Sequence, residues 1–202
     1  NNQIVDIMQD KSGVLWFATH GSAVIKLNEN GFTNVSTIPE LNQSIIYAIT
    51  KDKKGNTWFG TQSGNLIKYY KDTFYTYTQQ QGFQGEKVRD ILEDKKGNIW
   101  IAVQNGGLCK FDGHSFAYYR GQTGNLLTGT FSLCEDRKGN IWIGLLHRGV
   151  VKYDGDSFTH FTLRDESKYE DIRSVIEDSK GNMWFRSSLD GTIAKFDGAE
   201  FT

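Results

Sequence analysis

The chain has 202 residues, with 23 basic and 24 acidic side chains and a net charge of −1. This balance, without a basic stripe, argues against a nucleic-acid partner and gives no reason for contact with an anionic membrane surface. No apolar run approaches the roughly 18 residues that a membrane helix needs. The totals therefore favour a globular protein whose partners are neither nucleic acid nor membrane.

One short pattern, Asp-x-x-Gly-Asn-x-Trp, recurs along the chain and is clearest from Asp94 to Trp100. Its copies place the tryptophans 42 residues apart, at Trp16, Trp58, Trp100, Trp142 and Trp184. A fixed period of this length indicates a repeat protein in which each unit buries its apolar face against a neighbour. We therefore predict a single domain over 1–202. Its repeats span about 1–42, 43–84, 85–126, 127–168 and 169–202.

In each repeat the first predicted strand ends just before the motif. These strands are Ile4–Gln9, Ile45–Lys51, Val88–Glu93, Phe131–Glu135 and Ile172–Glu177. In the motif, aspartate favours the first position of a tight turn, and glycine tolerates the positive φ that closes it. The glycines of the four clear copies are Gly55, Gly97, Gly139 and Gly181. The loop is too short for the six or more oxygen ligands of calcium, so we assign it a structural role.

The second predicted strand carries the tryptophan and is almost continuously apolar, as expected for a strand buried on both faces. These strands are Leu15–Thr19, Thr57–Thr61, Ile99–Val103, Ile141–Leu145 and Met183–Ser187. The third strand carries a repeated lysine, such as Lys110, for which we predict a solvated head and a buried stem. The fourth alternates aromatic and polar residues, as in Phe116–Tyr119, and has barely begun at Phe201 in the last repeat.

Four short strands and tight turns in each repeat predict an all-β fold, a β-propeller of five four-stranded antiparallel blades. Cys109 and Cys134 take places that are apolar in other repeats, such as Ile67 for the first and Leu92 for the second, so we predict free thiols that pack as small hydrophobic side chains. The five blades could close a ring by packing the fifth on the first, or belong to a larger ring. We expect the closed ring, because an open array would expose large apolar patches.

The repeats resemble the two-component regulator propeller repeat, which runs Val-x-x-Ile-x-Glu-Asp-x-x-Gly-x-Ile-Trp-Ile-Gly-Thr and continues with Gly-Gly-Leu. The third repeat matches this pattern over Val88–Val103 and Gly106–Leu108, and the fourth over Glu135–Gly144. The resemblance covers almost the whole chain. It implies a sensor region of a bacterial hybrid two-component system, periplasmic or extracellular, that detects polysaccharide fragments. It also implies other domains of a longer sensor protein as partners.

Residues that break the repeat are the candidates for function. One position on the first strand, two before a regularly apolar residue, carries Val5, Tyr47, Arg89, Phe131 and Arg173. An innermost strand lines the central channel of a propeller, so we expect these side chains to gather at its mouth. Arginine offers forked donors and aromatic rings offer stacking faces. We therefore predict that this position, from the second repeat to the fifth, binds a carbohydrate or another small polar ligand.

Three further candidates are His147 and Arg148, in the connection after a second strand, and Arg186, which stands where other repeats have small residues. We predict no catalytic group, cofactor or metal, and expect a non-catalytic sensory module. The main alternative is a streptogramin lyase-like or metal-dependent propeller enzyme. His20 and His147, which fall in equivalent connections of the first and fourth repeats, would form its acid–base or metal site, and Met183–Asp197 resembles a repeat of the streptogramin lyase-like propellers. A second alternative is a pure repeat scaffold for protein–protein interaction.

Overall fold

The structure, a computed structural model, describes residues 3–20, 24–35, 41, 44–71, 73–119, 127–161, 171–188 and 191–202. The first blade consists of β1 Ile4–Gln9, β2 Leu15–Thr19, β3 Val24–Asn28 and β4 Gly31–Asn34. The second consists of β5 Ile46–Lys51, β6 Thr57–Thr61, β7 Leu66–Tyr70 and β8 Thr73–Tyr77. The third consists of β9 Val88–Glu93, β10 Ile99–Val103, β11 Gly107–Phe111 and β12 Phe116–Tyr119. The fourth consists of β13 Thr130–Glu135, β14 Ile141–Leu145, β15 Val150–Tyr153 and β16 Phe158–Phe161. The fifth consists of β17 Ile172–Glu177, β18 Met183–Ser187 and β19 Ile193–Phe196.

Each blade is one antiparallel sheet whose strands follow chain order, as in β1-β2-β3-β4. The first strands of successive blades pack side by side and are innermost. The predicted all-β propeller with five antiparallel blades is therefore confirmed. The fifth blade has three strands, and Phe201 adds only a single bridge to Phe196. A short 3₁₀ turn, Gln79–Gln81, connects the second and third blades.

The repeated motif is a hydrogen-bonded turn that ends on the tryptophan. In the third blade one carboxylate oxygen of Asp94 accepts the backbone N–H groups of Lys96 and Asn98. The other oxygen accepts the Asn98 side chain and, at 2.8 Å, the indole N–H of Trp100. Although burial of Asp94 disfavours its charged form, these hydrogen bonds lower its pKa. Gly97 has a φ of 86°, which is the conformation that the turn required.

The core lies between the blades. Trp16 and Ala18 of the first blade pack against Ile49 and Phe59 of the second, and the Trp16 and Phe59 ring centroids are 6.1 Å apart. The other three interfaces contain equivalent clusters. We call the tryptophan-bearing side of a blade its outgoing face, and the side that packs on the preceding blade its incoming face. Every interface therefore joins an outgoing face to the incoming face of the next blade.

The array is open, so the expectation that blade five closes on blade one is wrong. β1 does not pack on β17 as successive first strands pack on one another. On the incoming face of blade one, Ile4 and Ile7 are 51% and 55% exposed, whereas Ile49, the counterpart of Ile7, is 5% exposed. On the outgoing face of blade five, Ile176 and Ile193 are 57% and 61% exposed.

The two thiols are free, as predicted, and pack with apolar neighbours. Cys109 is buried and Cys134 is half-buried. Burial raises the pKa of Cys109 to about 12 and that of Cys134 to about 11. Both thiols therefore stay protonated near neutral pH, which makes them poor nucleophiles. Within the described ranges, no helix is long and apolar enough to cross a membrane.

Candidate functional site

Each innermost strand contains a bulge near its start, and the bulged residues are the sequence candidates. The pairing of β1, β5, β9, β13 and β17 with the next strand skips one residue in every blade. The skipped residues are Val5, Tyr47, Arg89, Phe131 and Arg173. A residue outside the regular pairing escapes the alternation between sheet faces, so a bulge can redirect its side chain. The bulge therefore frees this position from the packing that the rest of the strand obeys.

Four of these side chains touch one another in chain order. The Cζ atom of Arg89 lies 4.1 Å from the ring centroid of Tyr47 and 5.0 Å from that of Phe131. The Cζ atom of Arg173 lies 5.2 Å from the same Phe131 ring. These are cation–π distances. We call Tyr47, Arg89, Phe131 and Arg173 the arginine–aromatic ladder, and it extends across blades two to five.

Two glutamines brace the ladder. The Nε and Nη2 atoms of Arg89 both donate to the side-chain oxygen of Gln104, the former at 2.8 Å, and the Tyr47 hydroxyl donates to Gln62 at 3.2 Å. Burial lowers the pKa of Arg89, neighbouring Tyr47 opposes this change, and the positive charge of Arg173 adds to it. In the part of the chain that the structure describes, Arg89 forms no ion pair. The described contacts of its guanidinium are thus the Gln104 oxygen and the rings of Tyr47 and Phe131.

At blade five the ladder meets a charged cluster centred on Asp171, whose side chain is 6% exposed. One carboxylate oxygen of Asp171 accepts the backbone N–H of His147 at 2.8 Å and lies 2.9 Å from His147 Nδ1. The other lies 3.6 Å from Arg173 Nη2. His147 has a φ of 62°, which side-chain-bearing residues rarely adopt. Asp171 therefore joins His147 to the end of the ladder.

The remaining two candidates have other described contacts. Arg148 follows His147 in an exposed turn, and its carbonyl oxygen contacts the Nε2 atom of His160. Arg186 lies on the exposed outgoing face of blade five, where it pairs with Ile193 in the sheet. The ladder contacts therefore bring together Tyr47, Arg89, Phe131 and Arg173, with His147 linked through Asp171.

The two histidines of the enzyme alternative have different neighbours. The His20 ring centroid lies 6.3 Å from that of Tyr47, whereas His147 is held by Asp171. Among the described residues, no group of three or more His, Cys, Asp or Glu side chains could hold a metal ion. The two histidines are thus attached to opposite ends of the ladder, one at blade two and the other near blade five.

Sequence reasoning missed two residues that shape this site, Gln104 and Asp171. A signal for Gln104 was present, because Gln62 stands at the same repeat position and also binds a ladder residue. Asp171 lies outside the repeated motif, just before β17. No sequence pattern around Asp171 singles it out. Only the packing of blade four on blade five brings Asp171 between His147 and Arg173.

The two-component regulator propeller family model matches the chain over residues 1–21, 40–63, 82–105 and 128–146. No curated protein matches the chain in sequence. Among solved structures, a virginiamycin B lyase from Staphylococcus aureus is similar, with a TM-score of 0.83, 13% identity, and coverage of 100% of this chain and 69% of that one.

Two extracellular domains of putative hybrid two-component systems from B. thetaiotaomicron are also similar. The domain of BT3049 has a TM-score of 0.68 and 19% identity, with 97% of this chain and 34% of that chain covered. The domain of BT4673 has a TM-score of 0.66 and 20% identity, with 100% and 37% covered. The chain thus spans about a third of those domains, and the low identities show a shared fold. The four model matches, on the blades that the structure defines, show that this chain belongs to the two-component regulator propeller family.

Proposed function

We propose that this chain is a non-catalytic ligand-binding module of an extracytoplasmic sensor, periplasmic or extracellular, that takes a small polar ligand or carbohydrate at the ladder. The observation that supports this most is the alternation of Tyr47, Arg89, Phe131 and Arg173 at bulges of successive blades. Two arginines that share one aromatic ring repel each other, and blade packing does not require them. Such an arrangement is suited to binding a ligand.

The chemistry of the ladder suits a sugar or sugar acid. Aromatic faces can stack on the apolar faces of sugar rings, and guanidinium groups donate forked hydrogen bonds to carboxylates and hydroxyls. The Gln104 and Gln62 braces hold Arg89 and Tyr47 in place before a ligand arrives, which reduces the ordering cost of binding. Family membership and the extracellular location of the similar two-component domains support the proposed location and role.

The test is a thermal-shift screen of the purified chain against neutral sugars, sugar acids and divalent metals, with EDTA as a control. A ligand at about 100 times its Kd stabilises the native state by roughly 2.7 kcal/mol, which raises the melting temperature by several degrees. We expect one sugar class to produce this shift with or without EDTA. The double variant Arg89→Ala with Arg173→Ala should lose the shift, while Lys96→Ala, in a turn at the other end of blade three, should keep it.

Two results would overturn the proposal. A shift with metals alone, removed by EDTA, would favour the propeller enzyme that uses His20 and His147. A flat screen on a protein that melts sharply and cooperatively would favour a scaffold whose partner is another protein.

A further inference from the structure

A cleft of about 570 Å³ opens between blades two and three. This volume falls within the range of about 300–1,000 Å³ that is usual for small-molecule sites. Hydroxyl and amide groups both donate and accept hydrogen bonds, so they can pair with sugar hydroxyls in either sense. Most polar side chains of the cleft are of this kind. These hydroxyl and amide side chains include Ser63, Asn65, Thr78, Gln84 and Asn105. The cleft is also lined by the carboxylate of Glu86.

The cleft is built from tightly held segments. Thr78 caps the 3₁₀ turn, and its backbone N–H and hydroxyl both donate to the side chain of Gln81. Phe83 is 1% exposed and anchors the segment that follows in the core. Gly64 comes so close to Gly85 that a Cβ atom on Gly64 would lie 2.1 Å from the Gly85 carbonyl oxygen. A cleft with walls held in this way has little freedom to lose when a ligand binds.

A series of hydrogen bonds connects the cleft lining to the ladder. At its rim the Asn105 side chain donates to Glu86 at 2.6 Å. The residue before Asn105 is Gln104, and its backbone N–H donates to the carbonyl oxygen of Lys87 at 3.0 Å. The Gln104 side chain then accepts both hydrogen bonds from Arg89. Three consecutive contacts therefore connect the cleft rim to the Arg89 guanidinium.

We propose that the cleft is a second subsite and that the ligand is an acidic oligosaccharide of at least two units. The acidic group of one unit pairs with Arg89 and Arg173, and the next unit enters the cleft and bonds to its amides and hydroxyls. Glu86 repels a second anion at the cleft rim, so the opposite charges of Arg89 and Glu86 set the direction of the bound chain. This inference rests on the proposed binding function of the ladder.

Isothermal titration calorimetry of the whole chain tests the inference. The probes are oligogalacturonides, oligoalginates and oligosaccharides of chondroitin sulfate and heparin, each as its smallest unit and as a hexasaccharide, with neutral oligosaccharides of matched length. We expect at least one acidic series to bind, with the hexasaccharide about tenfold or more tighter than the smallest unit. Asn105→Trp should fill the exposed rim and remove this gain, but leave the affinity for the smallest unit.

Lys96→Trp is the control, because it adds the same bulk to an exposed turn at the opposite end of blade three. Melting temperatures of both variants without sugar should match that of the parent chain. Two results would overturn the second subsite and leave the proposed function standing. One is binding that depends on Arg89 but has the same affinity for the smallest unit and the hexasaccharide. The other is tighter binding of the hexasaccharide that persists in the Asn105→Trp variant. Ladder-dependent binding of neutral sugars alone would overturn the acidic ligand. No binding by any member of the panel would overturn this inference, whereas the thermal-shift screen decides the proposed function.

Discussion

At the scale of single residues, each tryptophan is held by several different contacts. The indole N–H of Trp100 donates to Asp94, and the Lys110 ammonium lies 5.4 Å from its ring centroid. The Tyr119 and Tyr153 ring centroids lie 5.5 and 5.7 Å from that of Trp100. The repeated lysine is therefore a cation–π partner of the tryptophan rather than a simple solvated residue. Hydrogen bond, ring packing and cation contact together orient the largest side chain of the interface.

Replacement of Trp100 by alanine is expected to destabilise the protein by about 3–5 kcal/mol, because it empties a buried interface. The matched variant is Trp184→Ala. Trp184 makes the same bond to its aspartate but lies half-buried on the outgoing face of blade five. We expect the second change to cost roughly half as much or less, since part of that ring already faces water. Urea denaturation followed by far-UV circular dichroism measures both, and equal losses would contradict this account of the interfaces.

A carboxyl group links two inner strands in an unusual environment. Asp90 accepts the backbone N–H of Ile91 and, in the next blade, that of Leu133, both at 2.8 Å. Desolvation by the surrounding protein raises the pKa of Asp90 to about 7, against the effect of these hydrogen bonds, and repulsion by Asp6 adds to the rise. In the second blade the same repeat position carries Ala48. The charged carboxylate is therefore not required for a blade of this type.

The raised pKa predicts a pH dependence of stability. Because the native state binds the Asp90 proton more tightly than the unfolded state does, this group contributes stability that is fully present below about pH 4 and is lost as the pH rises through about 7. Asp90→Ala, which copies Ala48, should weaken the fall in stability between pH 5 and pH 8. Urea midpoints of parent and variant at several pH values in this range measure the effect. Parallel pH profiles for the two proteins would rule out this role of Asp90.

At the scale of elements, the turns of neighbouring blades are linked by a repeated set of hydrogen bonds. The backbone N–H of Lys95 donates to the Glu135 carboxylate at 2.9 Å, and its ammonium donates to the Asp136 carbonyl oxygen at 2.9 Å. Lys53 makes the equivalent bonds from blade two to blade three, and Arg137 makes them from blade four to blade five. These bonds join sheets that share no strand pairing, so they fix how one blade is placed on the next.

Glu135→Ala is expected to lower the free energy of unfolding by about 1 kcal/mol, because the Lys95 N–H loses its partner but remains open to water. Lys96→Ala, in the same turn with an exposed side chain, should change it by less than about 0.5 kcal/mol. Chemical denaturation at low and moderate salt measures both variants. If Glu135→Ala lowers the free energy of unfolding no more than Lys96→Ala does, the hydrogen bonds between these turns do not help to place one blade on the next.

At the scale of the whole molecule, the open array presents two complementary apolar faces. The incoming face of blade one carries Ile4 and Ile7, and the outgoing face of blade five carries Ile176 and Ile193. In the other blades, faces of these two kinds are packed on each other. Blade five of one molecule can therefore pack on blade one of another, which is a head-to-tail contact that does not close on itself in a pair.

We expect the purified chain to associate with rising concentration and the double variant Ile7→Glu with Ile193→Glu to stay monomeric. A charge on each face opposes its burial, while both positions are exposed in the single molecule, so the fold should be unaffected. Sedimentation velocity over a hundredfold range of concentration measures the association. A parent chain that is monomeric throughout this range would mean that the exposed faces do not recognise each other.

Periodicity alone predicted the blades, the strand order, and the places of the tryptophans and turn glycines such as Trp100 and Gly97, because these features depend on neighbours within about 42 residues. It also singled out Tyr47, Arg89, Phe131 and Arg173 as the residues that depart from the repeat. Strand bounds differed by one residue at most, as at Ile46 and Thr130. Local propensity and spacing are sufficient for such features, since each blade repeats the same strands and turns.

Only the tertiary structure decided the closure of the array and the composition of the site. Closure depends on how each sheet is placed on the next, and this placement accumulates along the array instead of being set by any one local motif. The bulge that turns Arg89 toward Tyr47, the brace from Gln104 and the link through Asp171 join residues from different strands or blades. The sequence by itself thus determined the repeating unit and the residues that depart from it. Packing between blades decided which contacts those residues make, because these contacts join residues from different strands or blades.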